Sequence, residues 1–128
     1  VKGYSPPHLR FGGMSQAVRS GDLIVVSGQA AFDSSTQITE LGAYEQALQC
    51  FENVRLALDE AGAALPQVVK LVSYLVDPGD FPAYSKAKRE VFPSIDAPAS
   101  TTVVVSALLD NRMRVEVEAW ACVEEETG

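Results

Sequence analysis

Apolar residues alternate with polar ones over some stretches of this chain and recur every three or four residues over others, and the two rhythms divide it into elements. Residues 1–13, rich in Pro and Gly, read as an N-terminal arm to a single domain over 1–128. A strand is predicted over about 15–19, Ser20-Gly21-Asp22 supplies turn chemistry, and Leu23-Ile24-Val25-Val26 reads as a central strand ending at Ser27-Gly28-Gln29. Residues 33–39 form a polar loop. Between 40 and 61, Tyr44, Ala47, Phe51, Val54, Leu58 and Ala61 recur at helical spacing, and Gly62 is a natural stop. Residues 67–76 predict another strand. Asp77-Pro78-Gly79-Asp80 then turns the chain into a shorter helix, where Asp80 can accept from the first free amides and Pro82 is tolerated. Phe81, Tyr84, Val91 and Phe92 supply its buried face, and Pro93 ends it. Two last strands, about 101–109 and 113–123, are joined by Asp110-Asn111-Arg112. The order β-β-α-β-α-β-β predicts an α+β fold with two helices on one face of a sheet.

The final strand carries candidate chemistry. Read with period two, Val115, Val117, Ala119 and Ala121 face one way, while Glu116, Glu118 and Trp120 face the other. Two carboxylates and the only tryptophan suit a sheet face that meets a second subunit or lines a cleft. In the strand after Pro98, Ser100, Thr102 and Val104 share one side and Thr101, Val103 and Val105 the other. If the helices cover the second set, the first joins Glu116, and pairing of the two terminal strands as a hairpin would aim Glu116 toward Ser100 and Thr102.

Composition narrows the class. With 128 residues, 47% of them hydrophobic, the chain fits one domain with a substantial core. A net charge of -7 and a pI near 4.6 give no electrostatic footprint for a phosphate backbone, so no nucleic-acid partner is expected. No apolar run approaches the roughly twenty residues needed to span a bilayer, and the first residues do not read as a secretory signal. A cytoplasmic protein is expected. Cys50 and Cys122 lack any C-x-x-C partner and read as small buried hydrophobes. His8, the only histidine, sits in the arm and reads as a surface residue. Without clustered ligands a catalytic metal has no support, and no cofactor is expected.

Four segments carry a family resemblance: Ser27-Gly28-Gln29, the run Val68-Val69-Lys70 to Val76-Asp77 with Asp80-Phe81, the Pro98-Ala99 step, and Val115-Glu116-Val117-Glu118-Ala119. In order and spacing they resemble the Rid (YjgF) family of reactive intermediate deaminases, over about residues 12–123. The resemblance implies a fold like that of Bacillus chorismate mutase, a homotrimer whose sheets form an inner barrel, and ligand clefts between subunits. It also implies an arginine immediately after the Pro-Ala step, holding the carboxylate of a 2-imino or 2-amino-acrylic acid. Here that position is Ser100, and one neutral hydrogen bond replaces a charge-assisted bidentate pair. The family's cleft tyrosine corresponds to Met14, its helix asparagine to Ser85, and its frequent cysteine to Thr102. Gly28 and Glu116 are retained, Glu116 matching the acid that positions the hydrolytic water.

The candidate site is therefore Glu116 as the catalytic group, with Met14, Gly28, Ser85, Ser100 and Thr102 around a ligand. Arg114, on the same face as Glu116, or Arg10 in the arm could restore a guanidinium to the cleft. Two functions stay open: a divergent Rid-type enzyme acting on a small enamine, imine or related unsaturated metabolite, and a non-catalytic trimer that binds a metabolite or serves a structural role. Efficient deamination of 2-iminopropionate is not expected.

Overall fold

The computed structural model describes residues 1–124, so the last four of the expected domain lie outside the described residues. Six strands, β1 (Lys2–Tyr4), β2 (Ala17–Ser20), β3 (Leu23–Gln29), β4 (Val68–Leu75), β5 (Ala99–Val104) and β6 (Val115–Cys122), form one sheet in the order β1-β2-β3-β6-β4-β5. Two helices, α1 (Ala43–Glu60) and α2 (Phe81–Val91), follow β3 and β4. The α+β architecture and the expected order hold from β2 onward. The arm is the exception: its first residues pair antiparallel with β2, a 3-10 turn follows at Pro7–Leu9, and Leu9 is buried. His8 sits in that turn, partly buried, and its carbonyl accepts a hydrogen bond from Thr36 at 2.9 Å.

The helical rhythm did its work as read. Ala47, Cys50, Phe51, Val54, Ala57 and Leu58 are buried along one stripe of α1, and their small members let the helix lie close on β3 and β6. Gly62 has φ +87°, the left-handed conformation that closes a helix end, and a Cβ there would lie 2.8 Å from the Arg19 guanidinium. Phe51 carries the second layer, edge-on to Phe92 at 5.6 Å and tilted against Tyr84 at 6.0 Å between centroids. Cys50 is buried, and burial pushes its thiol far up; Cys122 is only partly covered, next to exposed Leu23 on the other face of the sheet.

The terminal strands differ from expectation. They do not pair with each other: β5 lies parallel to β4 at the sheet edge, and β6 inserts antiparallel between β4 and β3. The Asp110-Asn111-Arg112 turn forms, with Arg112 forked onto Asp110, but it belongs to a long connection over 105–114 rather than a hairpin. The physical reason is the parallel β4–β5 step through α2, which brings the chain to the same end of the sheet at which β4 finished. From there the apolar Val115, Val117, Ala119 and Ala121 bury best by returning beside the equally apolar β4, where all four are covered by the helices.

That register reverses one face assignment. Ser100 pairs with Leu71, Thr102 with Ser73 and Val104 with Leu75, so this set lies on the helix side of the sheet. Glu116 pairs with Tyr74, Glu118 with Val72 and Trp120 with Lys70 and Val25, and these share the open face with Thr101 and Val103. Exposed Leu23, Val25 and Val103 extend that face.

Candidate functional site

Strand β3 breaks register between Val26 and Gln29, and Gly28 occupies this irregular step beside the start of β6. Its torsions are ordinary. The glycine is required by space: a Cβ would collide with Oε1 of Glu116 and lie 3.0 Å from its Cδ. Glu116 thus rests its carboxylate on bare backbone, half-buried, at the wall of a cavity of about 490 Å³. Leu9, Phe11, Met14, Phe32, Leu109 and Met113 give that cavity an apolar lining, and Gln16, Ser27, Gly28 and Glu116 give it a polar edge. Phe11 and Phe32 meet across it at 5.5 Å between centroids.

Burial first, and the nearby Glu118 charge second, raise the Glu116 carboxyl above the ordinary carboxylate range. No cation pairs with it among the described residues. Glu118 accepts a hydrogen bond from the Tyr74 hydroxyl on the open face, and this bond is the main reason the Tyr74 phenol is raised.

Of the expected site residues, the structure brings Met14, Gly28 and Glu116 to this one cavity. Ser85, Ser100 and Thr102 stand elsewhere, around α2 and the β5 edge. Ser85 accepts from Arg89 at 3.0 Å and Ser100 from Lys88 at 3.1 Å. The buried Tyr84 hydroxyl shares a hydrogen bond with Ser73, and burial raises its pKa while the hydroxyls of Ser73, Thr102 and Ser100 act to lower it. Glu116 therefore does not face Ser100 and Thr102 within this chain, because β4 separates β6 from β5.

Arg114 does not reach the cavity either. Its guanidinium makes a fork onto Asp80, Nε to Oδ2 at 3.1 Å and a terminal nitrogen to Oδ1 at 2.8 Å. This pairing also corrects the capping expectation: Asp80 serves Arg114 rather than the α2 amides, and Asp77 accepts from the Gly79 amide at 2.8 Å instead. Arg10 reaches the Ser5 carbonyl at 3.5 Å and lines a separate cavity of about 410 Å³.

Sequence reasoning missed the amides that build the site. Gln29 donates to Gln16 at 2.7 Å and to the Ser27 carbonyl at 2.9 Å, while Gln16 donates to the Leu9 carbonyl at 2.7 Å, fastening arm to strand. From α1, Asn53 holds the carbonyls of Ala30 and Phe32 at 3.0 and 2.8 Å, and Gln46 bridges the Arg112 carbonyl and the Arg114 amide. The signal was present: Gln46 and Asn53 sit seven apart on the buried stripe of an amphipathic helix, where an amide needs a backbone partner.

The family profile described as Endoribonuclease L-PSP matches residues 9–123. A RutC family protein of Pyrococcus abyssi is 38% identical over 115 residues, 89% of each chain. The 2-iminobutanoate/2-iminopropanoate deaminase of Dermatophagoides farinae is 34% identical over 115 residues, 89% of this chain and 88% of that protein. The crystal structure of the Escherichia coli YjgF gene product superposes with a TM-score of 0.89 at 25% identity, over 97% of this chain and all of that one. Matching the family profile from the buried Leu9 of the arm through β6, and superposing on the YjgF structure over nearly its whole length, the chain belongs to the Endoribonuclease L-PSP (YjgF/Rid) family.

Proposed function

We propose that this protein is a divergent Rid-type homotrimer that converts a small imine, enamine or related unsaturated metabolite in clefts between its subunits. The observation that carries the reading is Glu116: a half-buried carboxylate with a raised pKa, unpaired with any cation among the described residues, on the wall of a cavity of about 490 Å³. A carboxyl raised by burial at the wall of an apolar cavity accepts a proton more readily than an exposed one, which suits it to general acid–base work. For an imine, the water oxygen bonds to the carbon as Glu116 takes a water proton, and the nitrogen gains a proton as the C=N pair opens. Collapse of the resulting amino alcohol breaks the C–N bond, releases ammonia and leaves a carbonyl.

The trimer completes the cleft in this reading. Leu23, Val25, Val103 and Trp120 leave an apolar sheet face that both helices ignore, and association would cover it. A neighbouring subunit would then bring Ser85, Ser100 and Thr102 opposite Met14, Gly28 and Glu116, resolving why the two halves lie apart in one chain. The relative named as a 2-iminobutanoate/2-iminopropanoate deaminase supports imine chemistry. With Ser100 in place of arginine, 2-iminopropanoate should react more slowly than with arginine-bearing relatives.

Glu116→Gln tests the proposal. It keeps shape and removes the proton acceptor, so imine hydrolysis, followed as ammonia release, should fall by about a hundredfold while light scattering still gives a trimer. Unchanged turnover in a trimeric variant would remove Glu116 from catalysis and favour a metabolite-binding role; a wild-type monomer at micromolar concentration would remove the inter-subunit cleft.

A further inference from the structure

Two cations of α2 turn toward the hydroxyls of the second half-site. Lys88 donates to Ser100 at 3.1 Å and Arg89 to Ser85 at 3.0 Å. Neither forms an ion pair among the described residues, where the three ion pairs are Arg55–Glu52, Arg112–Asp110 and Arg114–Asp80. Lys88 is half-buried, and its ammonium lies 5.6 Å from the centre of the Tyr84 ring. An ammonium has three N–H donors, Ser100 uses one, and a ring face engages the charge without accepting a strong hydrogen bond. Burial, then the adjacent Arg89 charge, lower the Lys88 pKa, and the opposite charge of an anion would offset both.

There is room for one. Lys88, Arg89, Phe92, Ala97 and Pro98 line a hollow of about 130 Å³, roughly four times the ~30 Å³ that a water molecule occupies in the liquid. Phe92, Ala97 and Pro98 give it a short apolar wall, suited to a few carbons beside a charged end. Of the other two cations considered for this role, Arg114 is forked onto Asp80 and Arg10 lines a different cavity.

We propose that Lys88 is the carboxylate-binding residue of this protein: its ammonium, with the Ser100 hydroxyl and with Arg89 alongside, holds the acid group of a small 2-imino or 2-oxo acid. The inference deepens the proposed function and rests on Ser85 and Ser100 facing the inter-subunit cleft. An ammonium is a point charge, where a guanidinium is a fork, so it attracts an acid without fixing its plane. The specificity that follows is for small acids over their uncharged analogues, with less discrimination in shape.

The test is a calorimetric titration of the intact protein with 2-oxobutanoate and with its methyl ester, for wild type, Lys88→Met, Lys88→Arg and Glu116→Gln. Wild type should bind the acid at least about tenfold more tightly than the ester. Lys88→Met should lose roughly ten- to a hundredfold in affinity for the acid and none for the ester, and Lys88→Arg should recover most of the loss. A merely structural lysine would move acid and ester together. Wild-type affinity in Lys88→Met, or no preference of the wild type for acid over ester, overturns the inference. The outcomes separate from those of the proposed function: Lys88→Met with intact affinity leaves Glu116 in place, and Glu116→Gln with intact turnover leaves Lys88 in place.

Discussion

Asn53 ties helix α1 to the loop that lines the cavity beside Glu116, and its replacement gives a sharp test of how that cavity is held. Its amide nitrogen donates to the carbonyls of Ala30 and Phe32 at 3.0 and 2.8 Å, from a position with no solvent exposure. Asn53→Ala removes both bonds and the longer one its oxygen accepts from Gln49 at 3.3 Å; at about 1 kcal/mol net for each bond to the two carbonyls, plus a small void, the loss should be about 2–3 kcal/mol. For a domain of this length that lowers Tm by about 8–12 °C. Asn53→Asp keeps the shape but turns a donor into an acceptor facing two carbonyls. The introduced carboxyl has a folded pKa above its unfolded one, so whatever stability it retains is present at low pH and lost as pH rises through the folded value. Urea unfolding at fixed protein concentration, at pH 5 and pH 8, measures both effects, with the concentration held because the proposed trimer would add its own concentration-dependent stability. A cost below about 0.5 kcal/mol for Asn53→Ala, or an Asn53→Asp variant equally stable at both pH values, would refute the reasoning.

Gly28→Ala should push the Glu116 side chain off its place, because the new Cβ would collide with its carboxylate; turnover should fall about tenfold or more with a Tm close to wild type, and an unchanged rate would show that Glu116 need not rest there. Arg114→Met leaves nearly buried Asp80 without its fork and should cost about 1–2 kcal/mol in urea unfolding while acid binding stays unchanged; a selective loss of binding would return Arg114 to the cleft. Because burial holds the Glu116 carboxyl above its unfolded value, its contribution to stability is fully present below the unfolded pKa and fades as pH rises through the folded one. Glu116→Gln should therefore gain on wild type in urea midpoint between pH 4 and pH 7, and parallel midpoints across that range would contradict the assigned burial.

Periodicity by itself determined the elements and the buried stripes. Ala47, Phe51, Val54 and Leu58 had to share one helix face, and Val115, Val117, Ala119 and Ala121 one strand face, because spacing along a regular backbone fixes direction whatever the partner. The same local logic put Glu116 away from the core and marked Gly62 as a helix end. What alternation cannot state is which strand lies beside which. The parallel β4–β5 step through α2 sent β6 between β3 and β4, so Glu116 came to rest against Gly28 while Ser100 and Thr102 turned toward Tyr84. Pairings between Arg114 and Asp80 or Lys88 and Ser100 span 34 and 12 residues, and the amide ties of Asn53 and Gln46 join α1 to backbone on distant loops. Such contacts are decided by the assembled sheet, since a side chain's partner depends on where the whole chain has carried both groups, and no local pattern encodes that distance.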